Sequence, residues 1–218
     1  WEVQSVVGQT RGPEGQSLTN ANFPEMAAMT AYIHSKGLRA GIYTSPGPQT
    51  CQRYEGSYQH ELQDAVQFAN WGFDFLKYDW CTYRQVYDQR LKKSNDDLGE
   101  KQFPFRQMGD ILSGLDRDIV LNLCQYGMND VWKWGQSVGG HCGRTTGDLG
   151  LRRGNRLPGF YFIGLSNMQH HTFARPGAWN DPDYILIGYV GTPPAAGFTE
   201  PKPTKLTADE QYSYMSMW

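Results

Sequence analysis

In Phe73-Asp74-Phe75-Leu76-Lys77-Tyr78-Asp79-Trp80-Cys81 a mostly apolar run gives way to a lysine, an aspartate and then a cysteine. A buried strand that delivers an acid to a site ends in this way. Outward from it, short apolar runs alternate with longer amphipathic segments, the order of a parallel sheet with crossover helices. On the amino-terminal side the spacing predicts a helix over 24–35, opened by Pro24 and stopped by Gly37, and a strand over 38–43. A helix over 59–71 follows, with Leu62, Ala65, Val66 and Ala69 on one face. On the carboxyl side come a helix over 102–115, a strand over 118–123, a short helix over 131–134 and a short strand over 144–148. A helix over 160–170, an extended segment within 178–187 and a last helix from Thr207, with Glu210 completing its cap, close the pattern.

Such units build either an open doubly wound sheet or a closed (β/α)8 barrel. Polar groups recur at the carboxyl ends of five strands: Tyr43, Lys77 with Asp79, Gln125, Arg144 with Asp148, and Asp181 with Asp183. A barrel gathers all those ends on one face, whereas an open sheet relies on one crevice and a glycine-rich phosphate loop that this chain lacks. The expected fold is therefore an α/β TIM barrel.

Composition narrows the chemistry. With 39% hydrophobic residues in 218, the chain can bury a sizeable core in one domain. A formal charge of -2 without a lysine or arginine cluster offers no footprint for nucleic acid or an anionic membrane. No apolar run is long enough to span a bilayer, and Trp1-Glu2-Val3-Gln4 has neither the basic nor the apolar region of a signal peptide. The spacings of Cys51, Cys81, Cys124 and Cys142 fit no structural zinc site, and the five histidines form no ligand pair, so neither metal nor cofactor is expected. Each cysteine lies near a strand end, which leaves two bridges or four buried thiols open; bridges would point to an oxidising compartment.

Asp79 and Asp148 form a pair of acids suited to glycoside hydrolysis, one as nucleophile and one as proton donor. Lys77, two residues before Asp79, shares its strand face and could favour the ionised carboxylate or donate to a sugar hydroxyl; a buried ion pair is the alternative. For Asp148 the alternative is a helix N-cap, for Arg144 a surface role, and for Tyr43 plain packing.

The stretches Gly41-Ile42-Tyr43 with Thr50-Cys51, Leu76 to Cys81, Arg144 to Asp148, and Gly177-Ala178-Trp179-Asn180-Asp181-Pro182-Asp183 together resemble glycoside hydrolase family 27, the α-galactosidases and α-N-acetylgalactosaminidases. The resemblance runs in order along nearly the whole chain. It implies retaining cleavage of a terminal α-galactoside, with Asp79 as nucleophile and Asp148 as acid/base. It implies a Cys51 to Cys81 bridge at the sugar site, with Tyr43, Lys77, Arg144, Asp183 and Tyr184 also lining the pocket. It further implies a galactose-containing oligosaccharide or glycoconjugate as partner and a secreted, periplasmic or lysosomal location; oligomeric state stays open. Trp1 resembles the tryptophan closing a strand-two Asp-Asp-x-Trp motif. The chain is thus expected to hold about units two to seven of one catalytic barrel, without the first strand, most of the second, the eighth unit or a carboxyl-terminal β domain.

Specificity rests on Cys124-Gln125-Tyr126-Gly127-Met128, which matches the family segment facing the sugar's second carbon. Bulky Gln125 and Met128 leave little room for an acetamido group, which favours an unsubstituted 2-hydroxyl. Gly143 replaces a tryptophan common before the motif arginine, widening the pocket or losing a packing ring. β-L-Arabinopyranosides and α-N-acetylgalactosaminides are the alternative substrates, and a catalytically silent sugar-binding barrel the alternative of another class.

Overall fold

The computed structural model describes residues 11–149, 160–183, 189–190 and 204–217. In chain order the elements are α1 (Met26–Ser35), β1 (Gly41–Thr44), α2 (Glu61–Asn70), β2 (Phe75–Asp79), α3 (Arg84–Ser94), α4 (Asp97–Ser113), β3 (Val120–Cys124) and α5 (Val131–Trp134). Next are β4 (Cys142–Arg144), α6 (Phe160–Gln169), β5 (Trp179–Asp181), β6 (Tyr189–Val190), β7 (Thr204–Lys205) and α7 (Ala208–Met217). Strands β1 to β5 form one parallel sheet in strictly sequential order, and β6 pairs antiparallel with β7. A doubly wound sheet reverses direction at a switch point; here every crossover advances the same way, as a barrel requires.

Strand register sorts the side chains onto two faces. Tyr43 pairs with Lys77, Lys77 with Asn122, Asp79 with Cys124, and Arg144 with Asp181. These residues share a polar face because strand side chains alternate. The intervening Ile42, Leu76, Tyr78, Leu121 and Leu123 are buried in a core with Ala65 and Phe68 of α2 and Phe105 and Met108 of α4. Fully burying an aliphatic or aromatic side chain contributes roughly 1.5–3 kcal/mol, so this face holds the sheet in place. Trp80, directly after Asp79, stacks on Phe105 at 6.1 Å and meets Tyr83 edge-on at 4.9 Å. The strand end carrying Asp79 is thereby pinned from behind.

Local departures from the sequence pattern have physical causes. In α2 the buried face runs through Asp64, Ala65 and Phe68, while Leu62 and Val66 are exposed. Asp64 tolerates burial because Arg11 donates to both its oxygens, at 2.6 and 2.8 Å, and Ser17 donates at 3.0 Å. Helix α1 starts at Met26, beyond Pro24, and α4 starts at Asp97, where the Asp96 carboxylate accepts the Gly99 N–H. Pro104 lies inside α4 and withholds an N–H from the carbonyl of Glu100. The largely polar α3 gave no apolar period to read; of its residues only Tyr87 is buried. The short strand predicted over 144–148 instead ends at Arg144, which leaves Thr145 to Asp148 as a loop. The expected cap of α7 forms: Thr207 Oγ1 accepts the Glu210 N–H, and Glu210 accepts the Thr207 N–H. Among the described residues no helix is long and apolar enough to cross a membrane.

Candidate active site

At the carboxyl end of β2, Asp79 is buried and its carboxylate is held from both sides. The Tyr43 hydroxyl, from β1, donates to Oδ2 at 3.1 Å; the Tyr126 hydroxyl, from the loop after β3, donates to Oδ1 at 2.8 Å. Cys51 and Cys81 are joined in a disulfide, as the resemblance implied. Its sulfurs touch the same two phenols, Cys81 Sγ at 3.0 Å from Tyr43 and Cys51 Sγ at 3.8 Å from Tyr126. Cys51, Asp79 and Cys81 thus cluster closely, yet the bridged sulfurs offer no thiolate to a metal. Lys77 shares the face of Asp79, but among the described residues the two form no ion pair; successive same-face positions on a strand lie about 6.6 Å apart.

Arg144 is the second centre. Its buried guanidinium donates to Asp148 Oδ1 at 3.1 Å, to the Thr146 carbonyl at 3.2 Å and to Cys124 Sγ at 3.8 Å, and pairs with Asp183 Oδ1 at 3.1 Å. Burial disfavours its charge, but Cys124, Asp183, Asp148 and Asp181 outweigh burial and hold it cationic above the ordinary arginine range. Asp183 has a left-handed φ of 91° and accepts the Leu149 N–H at 2.7 Å. Its own N–H bonds Asp181 Oδ1 at 2.9 Å, and Asp181 Oδ2 accepts from Asn122 at 2.9 Å. The Asp183 side chain is almost fully buried, whereas that of Asp148 is 76% exposed. One arginine therefore grips a buried acid and an acid that reaches solvent.

Cys124 and Cys142 are free thiols, so the second bridge left open by their strand-end positions does not form. Cys142 pairs with Asn122 across the sheet, which places Cys124 two residues farther along β3. Burial raises both thiols, with Asp79 adding to the effect on Cys124; Cys142 is pushed up to about 11.

Gln125 and Met128 are oriented differently from the sequence expectation. The Gln125 amide donates to the Met128 carbonyl at 3.0 Å and is buried, and Met128 packs against the hydrophobic core. Between them, Tyr126 takes a left-handed φ of 63° and projects to Asp79. Gly127 follows at φ 82°, where a Cβ would sit 2.2 Å from the Thr145 carbonyl oxygen. The close approach of this loop to the residue that follows β4 thus demands glycine and aims the preceding ring. Burial first, and the charge of Asp79 second, raise the Tyr126 phenol, so it remains a neutral donor; Asp148 also lies within its electrostatic reach. Tyr126 was the residue that reasoning from residue type passed over. Tyr184 and Trp1 lie outside the described residues.

A sequential parallel sheet with acids, phenols and a buried arginine gathered at its carboxyl end defines the (β/α)8-barrel class. A family model described as alpha galactosidase A matches residues 5–109. The chain is 35% identical over 95% of its length to an alpha-galactosidase of Cyamopsis tetragonoloba, and 31% identical over 90% to alpha-galactosidase A of Cellvibrio japonicus. It spans 44% of the length of each of these relatives. The solved alpha-galactosidase of Saccharomyces cerevisiae superposes with a TM-score of 0.74 at 25% identity, covering 96% of this chain and 46% of that one. The chain belongs to the melibiase family, glycoside hydrolase family 27.

Proposed function

We propose that this chain is part of the catalytic barrel of a retaining glycosidase that releases terminal α-linked galactose. The observation that carries the reading is a buried, doubly hydrogen-bonded Asp79 at the carboxyl end of β2 together with a solvent-reaching Asp148 just beyond the carboxyl end of β4 in the same parallel sheet. In the first step an Asp79 oxygen attacks the anomeric carbon while the glycosidic oxygen leaves with a proton from Asp148. In the second, water attacks that carbon, gives its proton to Asp148, and returns the electron pair to the Asp79 carboxylate. Arg144 holds Asp148 against the site, and Lys77 and Asp183 are assigned to sugar hydroxyls. No cofactor takes part in these steps.

Galactose is favoured by the activities named for the relatives, including a yeast alpha-galactosidase solved with raffinose. Gln125 adds less than its bulk implied, because it is folded back on its own loop. The substrate test therefore compares nitrophenyl α-galactoside, α-N-acetylgalactosaminide and β-L-arabinopyranoside at matched concentration on the full-length protein. Turnover fastest on the galactoside, with the α anomer of galactose as the first product by proton NMR, is expected. The β anomer appearing first would remove the retaining mechanism, and absence of turnover on all three would leave a sugar-binding barrel. The Cys51 to Cys81 bridge supports an oxidising location: secreted, periplasmic or lysosomal.

A further inference from the structure

The Asp79 carboxylate has two donors of the same kind, and they arrive from opposite sides. Tyr43 is fixed by strand register beside Lys77. Tyr126 is fixed by a different device: it and Gly127 both take left-handed backbone, and Gly127 lies against the backbone of Thr145 with no room for a Cβ. Left-handed backbone at a non-glycine residue is disfavoured by roughly 1–2 kcal/mol, and it persists where surrounding packing over-determines it. Here the half-buried Tyr126 ring packs against the hydrophobic core while its hydroxyl reaches Asp79 Oδ1 at 2.8 Å. Neutral phenols can hold a carboxylate without cancelling its charge.

We infer that Tyr126 is a positioning residue for the nucleophile, acting chiefly when the carboxylate departs from the sugar. The inference rests on the double-displacement reading. A hydrogen bond to a carboxylate favours its charged form, and that charge is absent in the glycosyl ester and restored as the ester breaks. The Tyr126 donor therefore assists the second step, in which water attacks the anomeric carbon and the bonding pair returns to Asp79. In the first step the same bond orients the attacking group but restrains its electrons, so the two effects oppose. Loss of the hydroxyl should slow ester hydrolysis more than ester formation.

The test is Tyr126→Phe in the full-length protein, which keeps the ring and removes the donor, assayed with 4-nitrophenyl α-galactoside. The expected result is a kcat lowered about ten-fold, the scale of one hydrogen bond to a charged group, with KM falling alongside it. A pre-steady-state burst of nitrophenol should appear, because the glycosyl-enzyme accumulates. Unchanged kcat and KM would overturn the inference, as would a lowered kcat with KM steady or raised and no burst, the pattern of general disruption. A second measurement compares galactose affinity in Asp79→Ala with and without Tyr126→Phe. Equal affinities within about two-fold are expected if Tyr126 acts through the carboxylate; a weaker double variant would make it a sugar contact and overturn the assignment. A parent protein inactive on every glycoside would instead remove the underlying reading, and this inference with it.

Discussion

Strand β2 has a buried aspartate at each end, and the two are treated in opposite ways. Asp74, just before the strand, accepts from His34 at 2.7 Å, the Ala40 N–H at 2.9 Å, Arg117 at 2.7 Å and Arg39 at 3.3 Å. Arg117 also bonds the carbonyls of Gly72 and Phe73, knitting the strand's entry to the turn before it. Burial would raise the Asp74 carboxyl, but the Ala40 N–H, His34 and Arg117 outweigh it and bring the value down to about 2. Asp79, at the other end, is touched by two neutral phenols and forms no ion pair among the described residues. Cations at the amino end fix a charge for the fold. Neutral donors at the carboxyl end aim a charge and leave it available for chemistry, the division of faces expected of a barrel enzyme.

The largest effect that would test this contrast is on turnover. Asp79→Asn should lower kcat on a nitrophenyl α-galactoside by a thousand-fold or more, on the order seen when a nucleophile is removed, while the melting temperature stays close to the parent's. Equal turnover would strip Asp79 of its role. Next, Cys51→Ser with Cys81→Ser opens a loop whose closing residues are 30 apart and should reduce unfolding free energy by about 3–4 kcal/mol in urea titration. A variant as stable as the parent would mean that the bridge adds nothing to the rim. At the amino end, Asp74→Asn should reduce stability by about 2 kcal/mol near neutral pH yet leave kcat within two-fold, since it breaks charge-assisted bonds at the opposite end of the strand from Asp79.

The smallest effect is a pH dependence with a defined sign. Because the folded Asp74 carboxyl lies near 2 against an ordinary 3.8, its stabilisation is present above about pH 4 and fades as acid carries the solution toward pH 2. Urea midpoints of the parent should therefore converge on those of Asp74→Asn across that interval. Parallel curves would show that Asp74 does not supply the acid sensitivity.

The place of Asp79 at a strand's carboxyl end was legible because a mostly apolar run gives way there to Lys-Tyr-Asp, and the class of fold followed from polar residues at successive strand ends. The Cys51 to Cys81 bridge came from family resemblance, which carries three-dimensional proximity that spacing cannot. Tyr126 was hidden because its direction depends on backbone sign. In an extended loop, neighbouring Gln125 would be an equally good candidate; a left-handed turn at Tyr126, forced by the approach of Gly127 to Thr145, sends Gln125 inward. The exposure of Leu62 was hidden for a related reason: the burial of Asp64 depends on Arg11, 53 residues away in the chain. Polar partners joined over such distances leave no periodic trace.

The sequential order of the strands also gives the site a timetable. Tyr43 and Asp79 meet once β1 and β2 are in place, whereas Tyr126, aimed through the approach of Gly127 to Thr145, and the grip on Asp148 and Asp183 wait for β4 and β5. A chain emerging from the ribosome can therefore set the first donor on Asp79 before the second donor and the holder of Asp148 are in place, so competence comes in instalments, from the amino-terminal strands onward.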